Sequence, residues 1–168
     1  MYGDHRVSEL DDRQFERRGL MGGVGLKRFG EGNIGPHEEA HAVAKADRLK
    51  LTTTCQANLS QIFGIYPDDT NEAQELLEAQ IVGKIPVEAT DHLGVIHRLW
   101  PVTDIKTIAE VGALMSPQPI FVADGHHRYE TACNYRDQIS DGKPLPANHP
   151  AYFFLMMCVS MRDPVLIV

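Results

Sequence analysis

Pro119-Ile120-Phe121-Val122-Ala123-Asp124-Gly125-His126-His127-Arg128-Tyr129-Glu130-Thr131-Ala132-Cys133 is the stretch on which the reading of this chain turns. The apolar run from Ile120 to Ala123 predicts a buried strand. Asp124-Gly125 predicts a turn, and the residues from His126 onward a helix. A strand that turns through glycine into a helix gathers backbone N–H groups and the positive end of the helix dipole above the strand. Arg128 adds a fork of donors suited to phosphate or carboxylate. His126 and His127 bring proton-transfer or metal capacity near neutral pH. Asp124 can cap the helix, orient a histidine or bind a metal. The same residues also fit an ordinary turn and cap, so both readings stay open on spacing alone.

Working outward, Tyr129, Ala132 and Cys133 share one helical face and predict its core side. His126 and His127 lie about 100° apart around the helix axis, which disfavours joint chelation of one ion. Tyr152 to Val159 is almost wholly apolar and predicts a second buried strand. Gln61 to Tyr66 predicts a strand that ends at Pro67. Asp68 to Asn71 supplies an N-cap for an amphipathic helix over Glu72 to Ile81, with Ala73, Leu76, Leu77 and Gln80 at helical spacing. Ile85–Thr90 and Val95–Trp100 predict a hairpin through Asp91 to Gly94, with His97 read as structural. Asp104 to Leu114 predicts a further helix capped by Thr103 or Asp104. Residues 1–16 are polar and weakly periodic and read as a helix remnant or loose end. Gly22-Gly23-Val24-Gly25 lacks the Lys-Ser/Thr of a phosphate loop and reads as a bulged strand.

A helix is expected from about His37 to Thr53. It contains His37-Glu38-Glu39-Ala40-His41, a literal match to the zinc pattern with two imidazoles one turn apart and Glu38 as general base. The match falls in the first turn after Gly35-Pro36, and Ala44 stands where the extended form has glycine. A zinc-dependent hydrolase on His37, Glu38 and His41 is therefore kept as an alternative.

The 168 residues suffice for one domain with a core. The whole chain, 1–168, is expected to form a single α/β domain, mixed α+β, with a central mixed sheet and flanking helices. A net charge of −7 argues against nucleic acid as a partner. No stretch approaches the roughly 20 apolar residues of a spanning helix, so no membrane role is expected. Cys55, Cys133 and Cys158 show no CxxC spacing. Free thiols fit a reducing cytoplasm, with Cys133 and Cys158 as small core residues. The last residues stop inside an apolar run, so a fragment of a longer protein is expected.

Ala123 to Ala132 resembles the signature of the prokaryotic family called domain of unknown function 1015. Further segments resemble it in the same order: Arg18-Gly19-Leu20, Pro36-His37-Glu38, Asp47-Arg48-Leu49, Ala57 to Ser60 with Ile62-Phe63, and Phe153 to Met161. The resemblance spans nearly the whole chain. It also implies a continuation into a Pro-Thr-His-Arg segment after the last strand. Val165 stands where the family resemblance implies glycine, and Ala40 where it implies threonine. The Asp-Gly-His-His-Arg element is in turn similar to that of the ParB and sulfiredoxin-like superfamily, whose members bind nucleotide phosphates there and one branch of which looks like free-serine kinases. The resemblance implies phosphate binding by the N–H groups after Gly125 together with Arg128.

The expected function is phosphoryl-transfer or phosphoester chemistry on a small, phosphorylated metabolite, with a nucleotide and Mg²⁺ as the cofactors to test. Gly125, Arg128 and Arg48 would hold phosphate. His126 or His127 would act as acid or base, or ligate Mg²⁺ with Asp124. Glu130, His37 and Glu38 are further catalytic candidates. A nucleotide-responsive, ParB-like binding module without turnover is the second alternative.

Overall fold

The computed structural model describes residues 2–7, 15–28, 34–35, 42–164 and 166. In chain order its elements are β1 (Tyr2–Val7), β2 (Phe15–Gly25), β3 (Ile34–Gly35), α1 (Ala42–Cys55), β4 (Ile62–Tyr66), α2 (Glu72–Ile81), β5 (Val87–Thr90), β6 (Ile96–Trp100), α3 (Ile105–Met115), β7 (Ile120–Asp124), α4 (His126–Ser140), a 3-10 turn (Pro150–Tyr152) and β8 (Phe153–Ser160). The fold is mixed α+β and its strand pairing is mixed, as the sequence pattern predicts: β3 runs parallel to β7, and β4 antiparallel to it. The chain divides into two compact units. One comprises Met1–Met21, Tyr66–Gln118 and Cys158–Val168, the other Gly22–Ile65 and Pro119–Met157.

In the first unit the strands lie in the order β2-β1-β6-β5, and each pair is antiparallel. Residues 2–7 therefore form a strand, not the helix remnant or loose end that their polarity suggests. Tyr2 stands opposite Leu20 on one side and Trp100 on the other. The strand state comes from two partners distant in sequence, which no local pattern reveals. Over α2 and α3 the pattern is sufficient. Ala73, Leu77 and Val111 are buried, with Leu20, Trp100 and Val102 packed against them. The helix α3 begins on Asp104, whose Oδ2 accepts from the Thr107 N–H at 2.8 Å and from its hydroxyl at 2.7 Å. Those bonds hold the Asp104 carboxyl below the usual carboxylate range. The start of α2 is built differently from a side-chain cap. Asn71 is left-handed at φ 61°, and the buried Asp68 accepts from the N–H groups of Thr70 and Asn71 at 3.2 and 2.7 Å.

In the second unit the order is β3-β7-β4-β8-β2. Ile62 and Val122 are fully buried, each contributing about 1.5–3 kcal/mol of apolar burial. The helix α4 buries Tyr129, Ala132 and Cys133, the face predicted from i, i+3, i+4 spacing, and also Thr131, which the spacing places on another face. Its Tyr129 hydroxyl donates to the Lys27 carbonyl at 2.7 Å and accepts from the Lys27 N–H at 3.0 Å. Burial pushes that phenol up to about 12. Arg136 donates to the Leu26 carbonyl at 3.1 Å, and Arg28 pairs with Asp137. The segment after β2 thus fixes α4 along its length, while α1 packs against it. Cys133 and Cys158 are buried and Cys55 is exposed. Burial pushes both buried thiols up, so they are core residues and poor nucleophiles.

Candidate functional site

The strand β7 leaves the sheet at Asp124, beside an irregularity. Phe63 of β4 faces Asp124, but Gly64 faces Val122, so the ladder slips between them. Such bulges bend a strand and re-aim the next side chain. Asp124 ends up with its side chain 75% exposed. Gly125 follows at φ 96°, a left-handed conformation that costs an L-residue about 1–2 kcal/mol. A Cβ there would also lie 2.9 Å from both Nε and Nη2 of Arg128. Glycine is needed twice over, for the backbone angle and for the guanidinium laid against it. No side chain among the described residues caps α4, and its first helical bond runs from the Tyr129 N–H to the Gly125 carbonyl at 2.9 Å.

Arg128 is held from three sides. Its Nη1 donates to the Ser60 hydroxyl at 3.0 Å and to the Gln61 carbonyl, and its Nη2 donates to Asp124 Oδ2 at 2.6 Å. The guanidinium is therefore preset, and two of its three partners come from the loop before β4. Sequence reading found the residue but missed Ser60 and Gln61. They stand 68 and 67 positions away. Asp124, read from the sequence as a cap, a partner for a histidine or a metal ligand, pairs instead with Arg128.

A small pocket opens beside this fork, with Arg128, Ser60, Arg48 and Thr131 among its lining residues. Arg48, predicted as a second cation, thus shares the pocket with Arg128. The family model "Protein of unknown function (DUF1015)" matches residues 4–168.

The chain belongs to the DUF1015 family. No curated protein and no solved structure matches it.

The remaining predicted residues of this DUF1015 chain fall as follows. His126, His127 and Glu130 are half-buried in the first turns of α4, and each takes part in an interaction. Asp124 is the exposed carboxylate of the group. His37, Glu38 and His41, with the zinc pattern they form, lie outside the described residues. Among the described residues no three His, Cys, Asp or Glu side chains converge to hold a metal ion. No described helix is long and apolar enough to cross a membrane. His97, read as structural, is half-buried on β6 with Nε2 3.1 Å from Asp91 Oδ2.

Proposed function

We propose that the Asp124–Arg128 turn binds the phosphate of a small ligand and that this DUF1015 chain acts in phosphoryl-transfer or phosphoester chemistry on a small metabolite. One observation carries the reading. Arg128 is fixed through Nη1 by Ser60 and Gln61, while its Nη2 faces a carboxylate that is 75% exposed. An ion pair with so exposed a partner is worth about 0–1 kcal/mol. A phosphate can displace Asp124 from Arg128 while the anchoring bonds to Ser60 and Gln61 stay in place. Such a preset guanidinium stabilises charge without reorganising when the ligand arrives. Arg48 supplies a second positive charge to the same pocket. The likeness of the turn to the ParB and sulfiredoxin-like element supports the same ligand.

Once displaced, the Asp124 carboxylate becomes an oxygen donor beside the bound phosphate. Hard divalent cations such as Mg²⁺ are commonly held by one or two carboxylates together with phosphate oxygens. Asp124 fits that donor set, and the cation would supply charge neutralisation. His126, His127 and Glu130 are the candidates for moving a proton at the reacting group.

The test is calorimetric titration of the protein with ATP, ADP and CTP, each with and without Mg²⁺, followed by a search for turnover. Arg128→Lys keeps the charge and loses the fork. Arg48→Ala alters an exposed residue and should leave the fold intact. Binding that weakens in both variants, with phosphate release or transfer, is the expected result. Binding without turnover points to a nucleotide-responsive module. Affinity unchanged in both variants removes the anion site.

A further inference from the structure

Adjoining the arginine pocket in the second unit is a larger cleft of about 430 Å³, within the roughly 300–1,000 Å³ span of small-molecule sites. We propose that this cleft holds an uncharged, planar heteroaromatic ring, so that the ligand of the site is a nucleoside phosphate. The inference rests on the reading that Arg48 and Arg128 hold the phosphate.

Four observations converge. First, the cleft and the arginine pocket share walls at Thr52, Ala57 and Phe154. One molecule can therefore lie in both, with its charge at the arginines. Second, among the described residues no Asp, Glu, Lys or Arg lines the cleft. Its inner wall is the buried Leu26, Ala132 and Phe154, and Phe153 offers an aromatic ring at 44% exposure. Such walls favour a flat apolar face and give a charged group nothing to pair with. Third, the polar groups present are those that read ring edges. Gln56 and Asn58 are exposed amides that each both donate and accept. His149 Nδ1 accepts from the Ala151 N–H at 3.2 Å, so a neutral His149 ring carries its proton on Nε2 as a donor. Nucleobase edges alternate donors and acceptors in this way, and their faces stack on aromatic side chains.

Fourth, the electrostatics separate the two ends. The helix α1 ends at Cys55 with no basic residue in its last turn. Its terminal carbonyls, near Gln56, make the cleft end unfavourable for an anion. The phosphate is driven towards Arg48 and Arg128, and the uncharged ring is left for the cleft. The apolar surface agrees. Among its described residues, the second unit exposes four large hydrophobic side chains, Leu51, Leu59, Phe121 and Phe153. All but Phe121 line one of the two hollows, and exposed apolar surface gathered at concavities marks ligand sites.

The experiment is calorimetry on the whole chain with three probe classes: pyrophosphate, the nucleosides adenosine and cytidine, and the diphosphates ADP and CDP. A diphosphate is expected to bind at least about tenfold tighter than pyrophosphate, and its nucleoside to bind by itself. Ile139→Trp, which fills the cleft, and Asn58→Ala, in an exposed loop, should abolish nucleoside binding. In both, ADP affinity should fall to that of pyrophosphate, with pyrophosphate binding unchanged. Thermal unfolding checks the fold, and Asn58→Ala carries the test if Ile139→Trp does not fold. Pyrophosphate binding with no gain from the nucleoside overturns this inference and leaves the anion reading standing. Nucleoside binding that both variants leave unchanged overturns it too. Nucleoside binding without pyrophosphate binding supports the ring site and removes the anion reading. Binding of no probe overturns both.

Discussion

Two turns in this protein share an aspartate, a glycine and histidine, and spend the aspartate differently. Asp91-His92-Leu93-Gly94 joins β5 to β6, and Asp124-Gly125-His126-His127-Arg128 joins β7 to α4. Each has an aspartate at its start and a left-handed glycine, at φ 82° for Gly94 and 96° for Gly125. In the hairpin the aspartate is consumed locally. Asp91 Oδ1 accepts from the N–H groups of Leu93 and Val95 at 2.9 and 3.0 Å, and Oδ2 pairs with His97 at 3.1 Å. Its side chain is 32% exposed, against 75% for Asp124. In the second turn the carboxylate is spent on one arginine, and that arginine is tied to a distant loop. A turn whose polar groups satisfy one another is complete. A turn that orients a cation through one exposed partner is, on the proposed reading, open to a ligand.

The largest difference should come from removing the side chain that each turn serves. Arg128→Ala strips the half-buried Gln61 carbonyl and the Ser60 hydroxyl of their donor, at a cost of about 1–3 kcal/mol. Phosphate binding should vanish with it. Denaturant unfolding and calorimetry read the two losses separately. His97→Ala, on the hairpin side, should leave phosphate binding unchanged.

Next come the glycines. Gly94→Ala and Gly125→Ala should each cost about 1–2 kcal/mol through the left-handed backbone. A Cβ at position 94 meets nothing within 4 Å, whereas one at 125 meets Arg128 at 2.9 Å. Only Gly125→Ala should therefore also weaken phosphate binding. Equal effects on binding would erase the distinction between the turns.

Asp124→Asn is expected to act more gently and in the opposite direction. It removes the carboxylate that competes for Arg128, so pyrophosphate should bind up to about fivefold tighter without Mg²⁺, the equivalent of an exposed ion pair. Stability should scarcely change.

The smallest effect is one of pH. Chiefly through its bond to His97, the Asp91 carboxyl lies below the usual carboxylate range. A carboxyl depressed in the folded state binds fewer protons there than when unfolded. Its contribution is present above the ordinary carboxylate value, about 4, and is lost as pH falls through the folded value. Trp100 is the chain's one tryptophan, ends β6, and donates its indole N–H to the Lys84 carbonyl at 3.0 Å. Its fluorescence should register loosening of the hairpin below about pH 4, and Asp91→Asn should shift that transition.

The same contrast explains what could be read from the sequence. The helices α2, α3 and α4 were legible, and for α2 and α4 the inward faces too, because periodicity is local: Ala73 with Leu77 and Tyr129 with Cys133 are buried at i, i+4. The hairpin was legible from its turn residues. The strand β1 was not, since its polar sequence becomes a strand only between β2 and β6. Of the site, Asp124, Gly125 and Arg128 were visible as strand, turn and helix start. The loop that fixes Arg128 was not, because Ser60 and Gln61 carry no pattern that points 67 or 68 residues ahead. The cleft was invisible for the same reason, since α1, α4 and the Pro150–Tyr152 turn build it jointly.

The most direct test of the central claim, that Asp124 is a replaceable partner on a preset arginine, is a calorimetric titration of pyrophosphate into the unchanged protein and into Asp124→Asn. The account predicts binding in both and tighter binding in the variant. No binding in either, or weaker binding in Asp124→Asn, would show that the Asp124–Arg128 pair is a structural tie like the one at Asp91.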